Sequence, residues 1–291
     1  MIDTEFTLVS GTYTTEQDLL SQLDFFMVNT VGGWTRVKTV ADTATDKNIA
    51  YYTDGTTSGT VYDRFWIRIR ATGDELRFNG MSYFDSTTDT DFDQFGGNED
   101  AHLLPLTAVS GTYWFAANKD AVHVLVERSS DLLPLHGGFG HFITYYDAAD
   151  DPKPFYVFGQ TAINQTFTDA TYRLEGFGPH SWGSFYDATY SGTERKYQAA
   201  HPTNIQYGTP NPRSGYPKLI EPVFYTEQTF GAHEARGEVP GLYMCGGLGL
   251  TPGGVIEVKN MPPTVSGSYL IHKHSDSYTW AIGPVTVSGE G

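Results

Sequence analysis

From Thr112 to Tyr146 the chain reads TYWFAANKDAVHVLVERSSDLLPLHGGFGHFITYY, and this stretch restricts the fold more than any other. Tyr113, Phe115 and Ala117 alternate with Trp114 and Ala116, the period of two that gives a strand two distinct faces. Asn118-Lys119-Asp120 supplies turn chemistry, and Val122, Val124 and Val126 resume the alternation as far as Glu127-Arg128. A third apolar run, Phe142 to Tyr146, follows a Gly137-Gly138 break. The expectation is a hairpin extended into a meander that forms the central sheet of the protein. Nothing in the stretch reads as catalytic, which tilts the reading toward a structural part.

Composition agrees with a sheet protein. At 291 residues the chain suits one large all-β domain or two ordinary ones. Aromatics make up 14%, with 19 Tyr and 18 Phe, a balance suited to sheets covered by half-buried rings. The 32 Gly and 15 Pro imply many turns and hence short strands. A net charge of −16 argues against a nucleic-acid groove, which needs cations to neutralise phosphates, and against an anionic membrane surface. The single cysteine, Cys245, excludes an intrachain disulfide framework and reads as a small buried hydrophobe. No apolar run approaches the roughly 20 residues of a membrane-spanning helix, so no membrane insertion is expected. The start, MIDTEFTLVSG, lacks the basic and apolar regions of a secretory signal, so release from a cell is expected through assembly or lysis.

Along the chain, Thr14 to about Asn29 is the helix candidate. Thr14 with Gln17 fits a capping box, and Leu19, Leu20, Leu23, Phe26 and Met27 share one face before Gly32-Gly33 stops the helix. The period then changes to two. Strands are expected at Trp34–Val40, Asn48–Thr53, Thr60–Ala71 and Leu76–Phe84, with turns at Asp54-Gly55 and Gly73-Asp74. In the third of these, Phe65, Ile67 and Ile69 face one way, while Trp66, Arg68 and Arg70 face the other, where arginines can stack on rings or pair with acids. Pro154 to Gly159 is a further strand, residues 166–216 are irregular, and strand-like pieces return at Glu221–Tyr225, Gly241–Cys245, Val255–Val258, Ser268–His274 and Tyr278–Ile282. The fold class is therefore mainly β: antiparallel sheets forming a sandwich-like domain, with one N-terminal helix and long irregular loops. A boundary near 160–170 would separate a helix-plus-β part, 1–165, from a loop-rich β part, 166–291. One two-lobed domain fits equally well.

Candidate chemistry is sparse. Asp89, Asp91, Asp93 and Asp100 have the spacing of a calcium loop, but Gln94 stands where such a loop needs glycine, and the last ligand is Asp in place of Glu. His272 and His274 share one face of an expected strand, a pair that holds a transition metal only if a third ligand converges. His136 and His141 flank Gly138-Phe139-Gly140 and read as loop polar contacts. Ser181 and Ser184 lack the strand-to-helix setting of a nucleophile elbow, and Gly246-Gly247-Leu248-Gly249 lacks the Lys-Ser/Thr of a phosphate loop. The reading assigns no catalytic, cofactor or metal residues.

Tyr113-Trp114-Phe115-Ala116-Ala117-Asn118 with the valine-rich strand to Arg128 resembles a segment of virion structural proteins of tailed bacteriophages. The resemblance continues through Gly138-Phe139-Gly140, Pro154 to Gly159, Arg236 to Tyr243, Ser268 to Ile271 and Tyr278 to Ile282. The N-terminal helix leading to Gly33-Trp34 agrees in position. The chain departs from the pattern at Asp151-Pro152-Lys153-Pro154 and throughout 166–216. What the resemblance implies is a non-enzymatic subunit of the tail, baseplate or neck, assembled in the host cytoplasm. Its expected partners are other virion proteins and further copies of itself in a symmetric homo-oligomer. It carries no active-site residues. The alternative is a carbohydrate- or receptor-binding tail tip or fibre module, in which Trp182, Tyr186 and Tyr190 stack on the sugar rings of a host surface glycan.

Overall fold

Strand β1 (Phe6–Tyr13) leads into helix α1 (Glu16–Phe25), which continues as a π-helical segment over Phe26–Val31. The helix cap lies one residue later than expected. Thr15 Oγ1 accepts from the Asp18 N–H at 3.1 Å, and the Asp18 carboxylate accepts in return from the Thr14 N–H at 2.9 Å. Asp18 takes this role because its short acid reaches back over the first turn, whereas the Gln17 amide donates to Glu16 at 2.9 Å. Gly32 and Gly33 stop the helix at φ of 71° and 84°, where a side chain would be strained.

The next strands are β2 (Trp34–Asp42), β3 (Asp46–Thr53), β4 (Phe65–Thr72) and β5 (Glu75–Met81), then the short pair β6 (Tyr83–Asp85) and β7 (Thr90–Phe92), and β8 (Leu103–Pro105). The expected strand ending at Phe84 is thus two strands, β5 and β6. Gly73 and Asp74, both at positive φ, make the tight turn from β4 to β5. The central stretch supplies β9 (Gly111–Ala117), β10 (Ala121–Arg128), β11 (Pro134–His141), β12 (Ile143–Thr144) and β13 (Phe155–Phe158). Then come β14 (Trp182–Phe185), β15 (Arg195–Ala200), β16 (Lys218–Ile220), β17 (Val223–Thr226) and β18 (Ala235–Glu238). The chain ends with β19 (Leu242–Gly246), β20 (Val255–Val258), β21 (Gly267–Lys273), β22 (Thr279–Ile282) and β23 (Val285–Val287).

This computed structural model describes residues 5–55, 64–81, 83–92, 103–106, 110–130, 134–141, 143–144, 155–159, 182–185, 195–200, 218–220, 223–226, 235–246, 251, 253–258, 267–273 and 279–288. Among them the strands form an eleven-stranded sheet in the order β12-β18-β17-β15-β14-β13-β11-β10-β9-β1-β23. Two five-stranded sheets, β2-β3-β4-β5-β8 and β16-β19-β22-β21-β20, and the β6-β7 hairpin complete the set. Pairing is antiparallel except where β23 runs parallel to β1, setting Phe6 opposite Val285. Mainly antiparallel sheets with one helix are what the alternation predicts. The irregular 166–216 region nevertheless contributes β14 and β15 to the large sheet.

The central strands are covered on both faces, and that orders the molecule. On one face Tyr113, Phe115, Val122, Val124, Val126, Phe139 and Val157 meet the helix residues Leu19, Leu20, Leu23, Phe26 and Met27 together with Ile49, Phe65, Ile67 and Phe78 of the N-terminal sheet. On the other, Phe6, Leu8, Ala116, Leu125, Tyr156 and Phe158 meet Leu242, Leu270 and Ile282 of the C-terminal sheet. Each fully buried Phe or Leu contributes roughly 1.5–3 kcal/mol by leaving water, so both interfaces hold the layers strongly. The outer face of the N-terminal sheet is roofed by the β6-β7 hairpin, with Phe84 packed on Ala50, Trp66 and Met81. Arg68 and Arg70 on that face pair with Asp91 at 2.9 Å and Asp46 at 3.1 Å. Arg64 lies 4.0 Å over the Tyr52 ring.

The Gly137-Gly138 step is not a break. It lies inside β11, which runs through it while pairing with β10 and β13. A Cβ on Gly137 would stand 2.6 Å from the Phe78 ring, and one on Gly138 would stand 2.6 Å from the Phe158 ring. Glycine is there because the N-terminal sheet approaches the backbone at Gly137, and at Gly138 the ring of the cross-strand partner Phe158 lies against it. The run expected as the third strand starts after this one. Phe142, Tyr145 and Tyr146 lie outside the described residues, and Ile143-Thr144 pair with β18.

Candidate functional site

Three histidines are among the described polar groups buried in the central strands. His123 comes from β10, where alternation turns it away from Val122 and Val124 toward the C-terminal sheet. The register sets His123 opposite Gly138 and Leu125 opposite His136, so the two imidazoles are diagonal neighbours across the β10-β11 pair. His123 Nδ1 lies 3.2 Å from His136 Nε2, and His123 Nε2 lies 3.0 Å from the Pro240 carbonyl oxygen. Both rings are 0% exposed. Phe158 packs edge-on against His136 at 4.9 Å, and Phe6 tilts over His123 at 5.5 Å. Burial pushes His123 down from 6.5 to about 4, the Pro240 carbonyl opposing the shift.

His141 is five residues from His136, and an odd separation in a strand puts it on the opposite face. It packs among Phe65 at 5.9 Å and Phe155 at 5.2 Å, on the helix side of the sheet. Neither His136 nor His141 is therefore a loop contact, as the glycines between them suggested. Both are strand residues at 0% and 1% exposure. Gly55 comes close here, with His141 Nδ1 3.1 Å from the position of a Cβ on it; the rest of the connection expected to turn at Asp54-Gly55, 56–63, lies outside the described residues.

The β9-β10 turn is held from within and from the N-terminal sheet. Asn118 Oδ1 accepts from the N–H groups of Asp120 and Ala121 at 2.9 and 2.8 Å. The Asn118 carbonyl accepts from Trp34 Nε1 at 2.8 Å, and the Lys119 carbonyl accepts from the Thr53 hydroxyl at 2.6 Å. A second polar cluster ties the helix to β2 and β3. Asp24 takes a two-point contact from Arg36 and a hydrogen bond from the Tyr51 hydroxyl at 2.9 Å. Burial, with Asp24 beside it, pushes the Tyr51 phenol well up.

The residues singled out for metal or sugar chemistry are distributed otherwise. Asp89 pairs with Lys38 at 2.6 Å, and Asp91 with Arg68, so neighbouring cations engage these two acids of the calcium-like spacing. Burial raises the Asp91 carboxyl from its ordinary value, Arg68 drawing it back. Asp93, Gln94 and Asp100 lie outside the described residues, as do His274, Tyr186 and Tyr190. His272 pairs in register with Trp280, Trp182 opens β14, Ser184 is in the same strand, and Cys245 is in β19; only their backbones are described. Among the described residues no three His, Cys, Asp or Glu side chains gather as a metal site.

His123 is legible as a polar residue in an otherwise apolar alternating strand, but no local pattern marks the register that brings His136 to it. The Asp24–Arg36–Tyr51 cluster had no such signal. With this geometry in view, comparison with known proteins adds no identity: no family profile matches the chain, and no curated protein sequence matches it. The arrangement joins layers through oriented polar bonds inside apolar packing, and such bonds fix which face meets which.

Proposed function

We propose that this chain is a non-enzymatic structural subunit of a tailed-phage virion, placed in the tail, baseplate or neck and assembled in symmetric copies with other virion proteins. The observation that carries the reading is where the resembling segments lie. Dispersed over residues 113–282, they become β9, β10, β11 and β13, which are adjacent in the large sheet, and β18, β19, β21 and β22, which flank or cover it. A likeness that converges on one packed unit supports shared architecture better than scattered motifs do. Apolar side chains at the periphery suit assembly: Val287 on the edge strand β23 is 58% exposed, and Phe25 at the end of α1 is 62% exposed. Mass spectrometry of purified particles from cells producing the chain tests the assignment. The chain is expected in a fixed ratio to the major tail proteins, and its absence from intact particles overturns the proposal.

A further inference from the structure

The His123–His136–Pro240 contact has a direction that the distances alone determine. The Pro240 carbonyl only accepts, so His123 Nε2, 3.0 Å away, carries the hydrogen. A neutral His123 then has a bare Nδ1, and His136 Nε2, 3.2 Å away, must donate to it. This holds whichever charge His136 carries. The order is His136 N–H to His123, then His123 N–H to Pro240, running from the central sheet into the turn between β18 and β19. That turn is seated by further contacts. The Gly241 carbonyl accepts from the Gly283 N–H at 2.9 Å, and a Cβ on Gly241, at φ of 69°, would run into the Phe6 ring.

We propose that this chain is an acid-sensitive latch: protonation of His123 releases the β18-β19 turn, and with it the C-terminal sheet, from the central sheet, while the helix-side layer stays packed. A proton arriving at His123 Nδ1 meets the Nε2–H of His136. His123 Nδ1 takes it only once that N–H turns away, while His123 Nε2–H goes on donating to Pro240, so the cost of the charge lies in its burial. The new charge would sit between Phe6 and Phe158, in packing made of Leu8, Leu125, Leu242 and Ile282. The titratable groups that the surrounding elements present are His136 from β11, Tyr156 from β13, Asp120 at the turn into β10 and Glu238 at the end of β18. Among the described residues, burial disfavours the charged His123 and the Pro240 carbonyl opposes that cost. Proton uptake is therefore coupled to opening of the layer.

Hydrogen exchange of the full chain at pH 7 and pH 5, corrected for intrinsic exchange, tests the latch. The expected result is an opening constant for residues 239–243 that rises roughly 20-fold at the lower pH, with α1 and β4 changing far less. In His123→Gln, whose amide can donate to Pro240 and accept from His136 without titrating, the rise should fall below about 3-fold. Equal rises in wild type and variant, or equal rises in both layers, overturn the proposal. Imidazole NMR of the wild type provides a check that does not depend on the variant folding. His123 is expected as the Nε2–H tautomer at pH 7 and still neutral at pH 5.5. An Nδ1–H tautomer, or titration near 6.5 in the folded protein, overturns it as well.

Discussion

The two faces of the central sheet come from the same alternation and differ in kind. Val122, Val124 and Val126 build the helix-side face with Phe115 and Phe139; His141 is buried there against Phe65 and Phe155, and Trp34 reaches Asn118 at the β9-β10 turn. Ala121, His123 and Leu125 build the opposite face, and there the polar bonds run through the middle of the packing. The first face is held by area, which carries no register of its own. The second adds an oriented hydrogen-bond chain that is satisfied in one arrangement of strands and turn. Stability on the helix side should therefore follow volume, and the other side should also carry the pH dependence of His123.

The largest effect expected is on the apolar face. Phe115→Ala should cost about 3–5 kcal/mol in urea unfolding, because Phe115 is fully buried and stacks on Tyr113 at 4.2 Å. A loss under about 1 kcal/mol would remove the claim that this face is held by packing. Next comes the pH dependence of the other face. The folded value for His123, about 4, lies below its unfolded 6.5. Its contribution is fully present above pH 6.5, declines as the pH falls, and is lost through about pH 4. Roughly 3 kcal/mol should separate the ends of that window, read as the difference between wild type and His123→Gln in unfolding series over pH.

A smaller loss, about 1–3 kcal/mol, is expected for Gly138→Ala, whose methyl would meet the Phe158 ring at 2.6 Å and the Val122 carbonyl at 2.8 Å. Thermal unfolding measures it, and a neutral result would show that the β10-β11-β13 strands pack more loosely there than the contacts require. The smallest change belongs to Asp54→Asn at the exposed Arg64–Asp54 pair, whose side chains are 42% and 44% exposed. It should move stability by less than about 1 kcal/mol, and the change should fade at high salt. A larger shift would place more energy outside the layers than the comparison allows.

Much of the architecture was legible in the chain. The helix face from Leu19 to Met27, the alternation in 113–128 and the two-faced Arg64–Arg70 strand are local periodicities, and local periodicity survives into the fold. The helix cap was displaced by one residue because Thr14 and Thr15 offer nearly the same chemistry, and only the reach of Asp18 decides between them. The histidines were harder. His136 and His141 look alike beside glycines, yet they end on opposite faces, and His123 acquires meaning only from a residue 13 positions away and a carbonyl 117 positions away.

The stretch from Thr112 to Tyr146 shows where that division falls. By itself the sequence determined that strands with two faces form there and that most of their residues avoid water, because side-chain period and apolar content act over neighbouring residues. Only the tertiary structure decided that both faces are covered, that Gly137 and Gly138 lie within a strand, and that His123, His136 and Pro240 meet. Those outcomes depend on strand register and on how layers approach one another. Both are set by contacts between distant parts of the chain, which no local pattern encodes.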